Sequence, residues 1–222
     1  MRKTPVKFII FTAIILIGLM VIIYANSMTG GNDSPYNVEV SVIKGWNLIA
    51  GIYPAGGAIL KDSEIKASDI KAIWYYAPTL KKYIQIHPNL DSDTMGTLED
   101  DVVLTSAMWV YSDKAGVLKY STIEDYMPLS FRKFYAGWNL VTVVPLMIEK
   151  NINEFKGTCD ILKAKAYGYD NSGTTFYWND LLDEKLPIES VGIGMAIEIS
   201  KDCTFGEINV SEETISPPSI PS

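Results

Sequence analysis

One histidine and two cysteines are all that this chain of 222 residues offers to chemistry that depends on those side chains. With His87 alone, a histidine-rich zinc cluster is excluded, and a Ser-His-Asp mechanism would have to rest on that one residue. His87 precedes Pro88 at the end of a predicted strand and reads as a surface or turn histidine. A Gly-x-Ser-x-Gly elbow, a Gly-x-x-x-x-Gly-Lys phosphate loop and a dinucleotide fingerprint are lacking too. Gly192-Ile193-Gly194-Met195 has neither the third glycine nor a helical pattern behind it. No cofactor is expected. Positive charge is scarce, with 19 Lys and Arg against 26 Asp and Glu and a net charge of −7. Arg2, Lys3 and Lys7 stand at the extreme N-terminus, so the deficit is steeper downstream. Nucleic acid, held by clustered Lys and Arg against phosphates, is excluded as a partner.

Charge is missing altogether from Phe8 to Ala25, FIIFTAIILIGLMVIIYA. A helix of about 18 residues spans roughly 27 Å, close to the hydrocarbon core of a bilayer. The basic residues before it place the N-terminus in the cytoplasm and the remainder outside. The length favours an uncleaved signal-anchor over residues 1–27, which makes the chain a single-pass protein of the cell membrane with its bulk extracytoplasmic. Ala25-Asn26-Ser27 also fits a cleavage site, and cutting after Ser27 would release a secreted protein.

What the chain does have is a repeat. Gly45-Trp46-Asn47-Leu48 returns as Gly137-Trp138-Asn139-Leu140, and both copies continue into β-branched residues and a proline. Before the first copy, Val38, Val40 and Val42 alternate with polar residues, the period of a half-buried strand. Phe131 to Tyr135 takes that place in the second copy. Ile70 to Ala77 and Lys82 to Ile86 form a predicted hairpin, matched by Lys163 to Asp170 and Thr175 to Trp178. Acidic loops follow. Val102 to Ser112 and Gly192 to Ser200 are predicted Met-containing strands, and Val117 to Ile123 and Phe205 to Val210 close the copies. The expected fold is mainly β: two tandem, similar β-modules, each a small sandwich or barrel, after one transmembrane helix. The boundaries are a linker at 28–35, modules at 36–127 and 128–210, and a disordered Ser- and Pro-rich tail at 211–222.

Cys159 and Cys203 both lie in the second copy, and the first copy lacks both. Paired presence in an exported chain predicts a disulfide from the connector to the final turn. Trp46 and Trp138 each open an apolar strand after a turn glycine and are expected in the core. Asn47 and Asn139 are expected to orient that turn through side-chain to backbone hydrogen bonds. Trp74, Tyr75, Tyr76, Tyr83, Tyr167, Tyr169, Phe176, Tyr177 and Trp178 gather on the hairpins, and Trp74, Tyr75, Tyr83, Tyr169 and Tyr177 are singled out as candidate ligand aromatics. Core packing is their commoner fate, and an exposed platform for sugar stacking is the alternative. Asp91-Ser92-Asp93 has the rhythm of a calcium loop, but Met95 and Val102 stand where ligands belong. Asp91 and Asp93 are thus a weak metal candidate beside a solvated loop. Asn32-Asp33-Ser34 and Asn209-Val210-Ser211 fit glycosylation sequons. Paired carboxylates for glycoside hydrolysis are not singled out.

The Gly-Trp-Asn-Leu strand, the tyrosine-bearing hairpin and the late strand running into Ser200-Lys201-Asp202-Cys203-Thr204 together resemble the GWNLI-type β-repeat of archaeal and bacterial exported surface proteins. Where those modules commonly carry Gly-Tyr-Trp-Val, this chain has Ala107-Met108-Trp109-Val110 and Gly194-Met195-Ala196-Ile197. The resemblance implies an accessory or adhesive surface module rather than an enzyme. The expected role is structural or binding at the cell envelope. The expected partners are the membrane, through the N-terminal helix, and envelope glycans or other surface proteins. A carbohydrate-binding module using the hairpin aromatics is the alternative, and a carboxylate-based hydrolase a more distant one.

Overall fold

Both copies of the Gly-Trp-Asn-Leu motif begin edge strands, and the same local geometry makes them do so. Gly45 and Gly137 sit at φ of 115° and 102°, a region that L side chains rarely adopt. Two residues on, the buried Asn47 accepts from the Ile43 N–H at 2.9 Å and donates to the Ile43 and Gly45 carbonyls at 3.1 Å. Asn139 repeats this with Tyr135 and Gly137. Glycine makes the turn and asparagine clamps it, as the sequence suggested.

A computed structural model describes residues 36–52, 59–122, 129–169 and 176–206. The segments expected to be the anchor (1–27), the linker (28–35) and the tail (211–222), and both sequons, lie outside them. Among the described residues, no helix is long and apolar enough to cross a membrane. The chain is mainly β, in antiparallel sheets. In the first copy β1 (Tyr36–Val42) pairs with β6 (Gly116–Thr122) as a ribbon. Strands β2 (Gly45–Ala50), β3 (Ile70–Ala77), β4 (Lys82–His87) and β5 (Ala107–Ser112) form a sheet of order β2-β5-β3-β4. In the second copy β7 (Lys133–Phe134) pairs with β12 (Cys203–Thr204). Strands β8 (Gly137–Thr142), β9 (Ile161–Tyr169), β10 (Phe176–Asp180) and β11 (Gly194–Ile199) form a sheet of order β8-β11-β9-β10. The two orders are equivalent strand for strand, so the repeat is one topology used twice.

Each ribbon covers one face of its own sheet. Val38, Val40, Leu118 and Tyr120 of the first ribbon pack with Ile73, Tyr75, Met108 and Val110 of the first sheet. In the second copy Phe134 and Phe205 pack with Ala164, Met195 and Ile197. A third cluster joins the copies. Leu48 and Ala107 from the first sheet meet Leu140 and Ala196 from the second. The two sheets therefore face each other across the sides turned away from their ribbons. The Ala50 N–H donates to the Gly192 carbonyl at 2.8 Å across this joint.

Three expectations need correction. Trp46 and Trp138 are not core residues: they remain 39% and 37% exposed. Period-two alternation puts Trp46 on the same face as Leu48, but only Leu48 lies beneath the opposite sheet. Val102 to Ser106 is not strand; Asp100–Leu104 is a short helix and β5 starts at Ala107. The closing strand of the second copy is Cys203–Thr204, and Phe205 is instead a core side chain packed on Phe134 at 4.2 Å.

Cys159 and Cys203 are disulfide-bonded over a sequence separation of 44 residues. Closing a loop of that length stabilises the fold by about 3–4 kcal/mol on the chain-entropy model.

Candidate functional site: an aromatic groove between the sheets

The outward faces of the two sheets are where the tryptophans went. Cross-strand pairing places Leu48 beside Trp109 and Trp109 beside Trp74 in one row. Trp46 pairs with Tyr111, and Tyr76 with Tyr83. Partners opposite one another in a sheet share a face, so these aromatics look away from the first core. On the second sheet Trp138 pairs with Glu198, Glu198 with Lys163, and Tyr167 with Trp178. All five tryptophans of the chain thus stand outside both ribbon-covered cores.

Where the two faces meet, they leave an aromatic groove made of two adjoining pockets. One, of about 490 Å³, is lined by Tyr76, Tyr83, Trp109, Trp138 and Trp178 together with Lys163 and Lys165. The next, of about 410 Å³, is lined by Trp46, Trp74, Tyr83, Trp109 and Tyr167. Both volumes fall in the range of roughly 300–1,000 Å³ typical of ligand sites. Trp109 is the centre. Its ring meets Tyr167 edge-on at 4.8 Å, Trp178 at 6.0 Å and Trp46 at 6.5 Å. Such edge-to-face contacts are the favoured packing of aromatic pairs, and together they make one continuous wall. Tyr83 and Trp178 remain 50% and 42% exposed at the rim. Burial, and then the nearby Tyr83, raise the Tyr76 phenol above its ordinary value of 10.0; burial does the same for Tyr167. Both phenols therefore keep their protons at neutral pH.

The polar edge of the groove carries two lysines, each with an acidic partner beside it. The Lys163 ammonium sits 5.7 Å from the centre of the Trp138 ring and reaches Glu198 at 2.6 Å. Lys165 reaches Asp180 at 3.4 Å. A third hollow, of about 640 Å³, adjoins through Trp46 and Tyr167 and carries Glu39 and Glu189 among mostly aliphatic neighbours.

The residues singled out from sequence divide. Trp74 and Tyr83 line the groove. Tyr75 does not, being 1% exposed on the core face. Tyr75 is adjacent to both Trp74 and Tyr76 in sequence, so a strand's alternation must send it the other way. The side chains of Tyr169 and Tyr177 lie outside the described ones. Tyr76, Tyr167 and Trp178, also among the hairpin aromatics, line the groove as well; Trp46, Trp109, Trp138, Lys163 and Lys165 are the lining residues that sequence reasoning missed. A signal for the lining existed in the spacing Lys163-x-Lys165-x-Tyr167, which marks one face of β9, and in Trp74-x-Tyr76, which marks one face of β3. The Asp91 carboxylate caps the short helix Ser92–Met95, accepting from the Thr94 N–H at 3.1 Å. The hydrogen bonds from Thr94 hold that carboxyl below its ordinary range. Among the described residues, no group of three or more His, Cys, Asp or Glu is placed to hold a metal ion, Asp91 and Asp93 included. His87 ends β4, half-buried.

No protein-family model, curated protein or solved structure matches this chain.

Proposed function

We propose that this is an extracytoplasmic binding protein, tethered to the cell membrane by its N-terminal apolar segment, which takes a carbohydrate ligand in the groove between its two β-modules. The observation that carries this reading is the placement of all five tryptophans around one groove rather than in a core. Large apolar side chains left at a surface are costly unless something covers them. Flat indole faces suit the C–H faces of sugar rings, and phenol and ammonium donors at the edges suit hydroxyls. The resemblance to GWNLI-type repeats of exported surface proteins points the same way. Catalysis is not part of the reading: among the described residues, the charged side chains lining the two aromatic pockets are lysines, and glycoside hydrolysis needs a pair of carboxylates astride the scissile bond.

Substitution of rim aromatics tests the proposal. Trp178→Ala and Tyr83→Ala should each weaken binding to a glycan panel by roughly tenfold, equivalent to about 1.4 kcal/mol, with little change in melting temperature. Binding that survives both substitutions together would sink the groove as the site. A chain that binds no glycan at all would return the groove to a purely structural joint.

A further inference from the structure

The lysines give the groove a sign, and the rest of the chain makes that sign unusual. The protein is acidic overall, at −7, with 26 carboxylate side chains. Among the described residues, the charged side chains lining the two aromatic pockets are Lys163 and Lys165, and no carboxylate lines either. Their ion-pair partners, Glu198 and Asp180, stand beside the lining rather than in it. Lys163 and Lys165 are two apart on β9, so their side chains leave the same face about 7 Å apart.

We infer that the groove selects acidic carbohydrate: a glycan of uronic-acid type, whose rings lie on the tryptophans while its carboxylates meet Lys163 and Lys165. The inference rests on the carbohydrate reading above and adds the charge class of the ligand. The existing ion pairs do not block it. An ammonium has three N–H donors, and one carboxylate oxygen occupies one of them. Lys163 and Lys165 keep 55% and 30% of their side-chain surface in solvent. Exposed pairs of this kind are weak and exchange readily. Trp138 beneath Lys163 holds the ammonium at the wall.

The geometry favours a sugar over an acidic peptide. The groove is floored by sheet faces, and β5, β3, β11 and β9 are each paired on both sides. Their main-chain N–H and C=O groups are spent in the ladders. A peptide strand laid on such a face would bring its own row of donors and acceptors to a wall that cannot pair them. A sugar ring has apolar faces for the indoles and carries its polar groups at its edge.

The test uses the full-length chain in detergent and calorimetric titration with oligomers of galacturonate, glucuronate and mannuronate, each beside its methyl ester. The ester keeps the ring and removes the charge. At least one acid should bind about tenfold tighter than its ester, and the advantage should shrink as salt rises. Lys163→Met with Lys165→Met should abolish the advantage, so that acid and ester bind alike. The matching Lys→Arg pair should keep it. Glu198→Gln with Asp180→Asn, which releases the lysines, should enlarge it. Equal binding of acids and esters, or binding only of neutral glycans, overturns the acidic selectivity and leaves the carbohydrate reading standing. Tighter binding of polyglutamate than of any uronate moves the site to acidic peptides and overturns both. Failure of every glycan, acidic or neutral, likewise overturns both.

Discussion

The two modules share a strand order but close themselves by different means. In the first, β1 and β6 pair over seven positions, from Tyr36 opposite Thr122 to Val42 opposite Gly116. The far edge of β6 is occupied as well, since the Leu60 N–H reaches the Lys119 carbonyl and the Glu64 N–H reaches the Val117 carbonyl. In the second, among the described residues, β7 and β12 pair over two positions. There Phe134 faces Cys203, where the first module has Val42 facing Gly116. The disulfide is anchored in the short ladder that remains. A covalent tie from Cys203 to Cys159, with Phe205 packed on Phe134 and Phe155, holds a ribbon too short to hold itself. Short two-stranded pairs are marginal alone, and the comparison shows two ways of securing one.

Removing the staple should give the largest effect. The Cys159→Ala/Cys203→Ala variant should lose about 3–4 kcal/mol in urea unfolding. Hydrogen exchange should quicken at β7, β12 and their neighbours and stay slow in the β1–β6 ribbon. Equal quickening in both ribbons would break the comparison.

The outward faces diverge too. Trp109 and Trp74 of the first sheet correspond to Ala196 and Lys165 of the second, because each pair stands at the same register beside the motif leucine, Leu48 or Leu140. One face became aromatic. The other kept Trp138 and Trp178 and acquired charge. Ala107 likewise corresponds to Gly194, and a Cβ built on Gly194 would lie 2.5 Å from the Leu48 side chain and 2.6 Å from that of Ala107. Identical residues at this position would collide across the joint. Gly194→Ala should therefore destabilise by roughly 1–3 kcal/mol, the usual cost of overpacking. It should also distort the groove, read as a change in tryptophan fluorescence. A neutral Gly194→Ala would show that the sheets are not seated on each other.

The smallest effect concerns a polar tie between the copies. Glu99 accepts from the Lys133 ammonium at 2.8 Å and the Tyr135 hydroxyl at 2.7 Å. These partners hold its carboxyl below its ordinary 4.5. A depressed carboxylate stabilises the fold fully above its unfolded value and loses that contribution as pH falls through the folded one. The wild type should thus melt slightly above Glu99→Gln near neutrality, and the two curves should converge in acid. A constant gap at every pH would remove the ion from the account.

Much of the architecture is legible in the sequence. Gly45, Asn47 and their repeats act within a few residues of themselves, so their turn follows from local chemistry. The paired cysteines were legible because the first copy supplied a control without them. The groove was not. Trp46 looked like a core residue because it opens an apolar strand, and the alternation rule says which residues share a face but not which face is covered. Here both faces are partly covered, one by a ribbon and one by the other module, so apolar character on both sides gave no direction. Tyr75 and Trp74 are neighbours of similar chemistry, and one is buried while the other lines the groove.

By itself, then, the sequence determined the repeated unit, most of its strands, its turn and its disulfide, because those depend on local geometry and on comparing one copy with the other. Only the tertiary structure decided that Leu48 and Leu140 are the joint and that the tryptophans ring a groove beside it. That outcome depends on how two sheets are apposed, a long-range choice that no window of either copy contains.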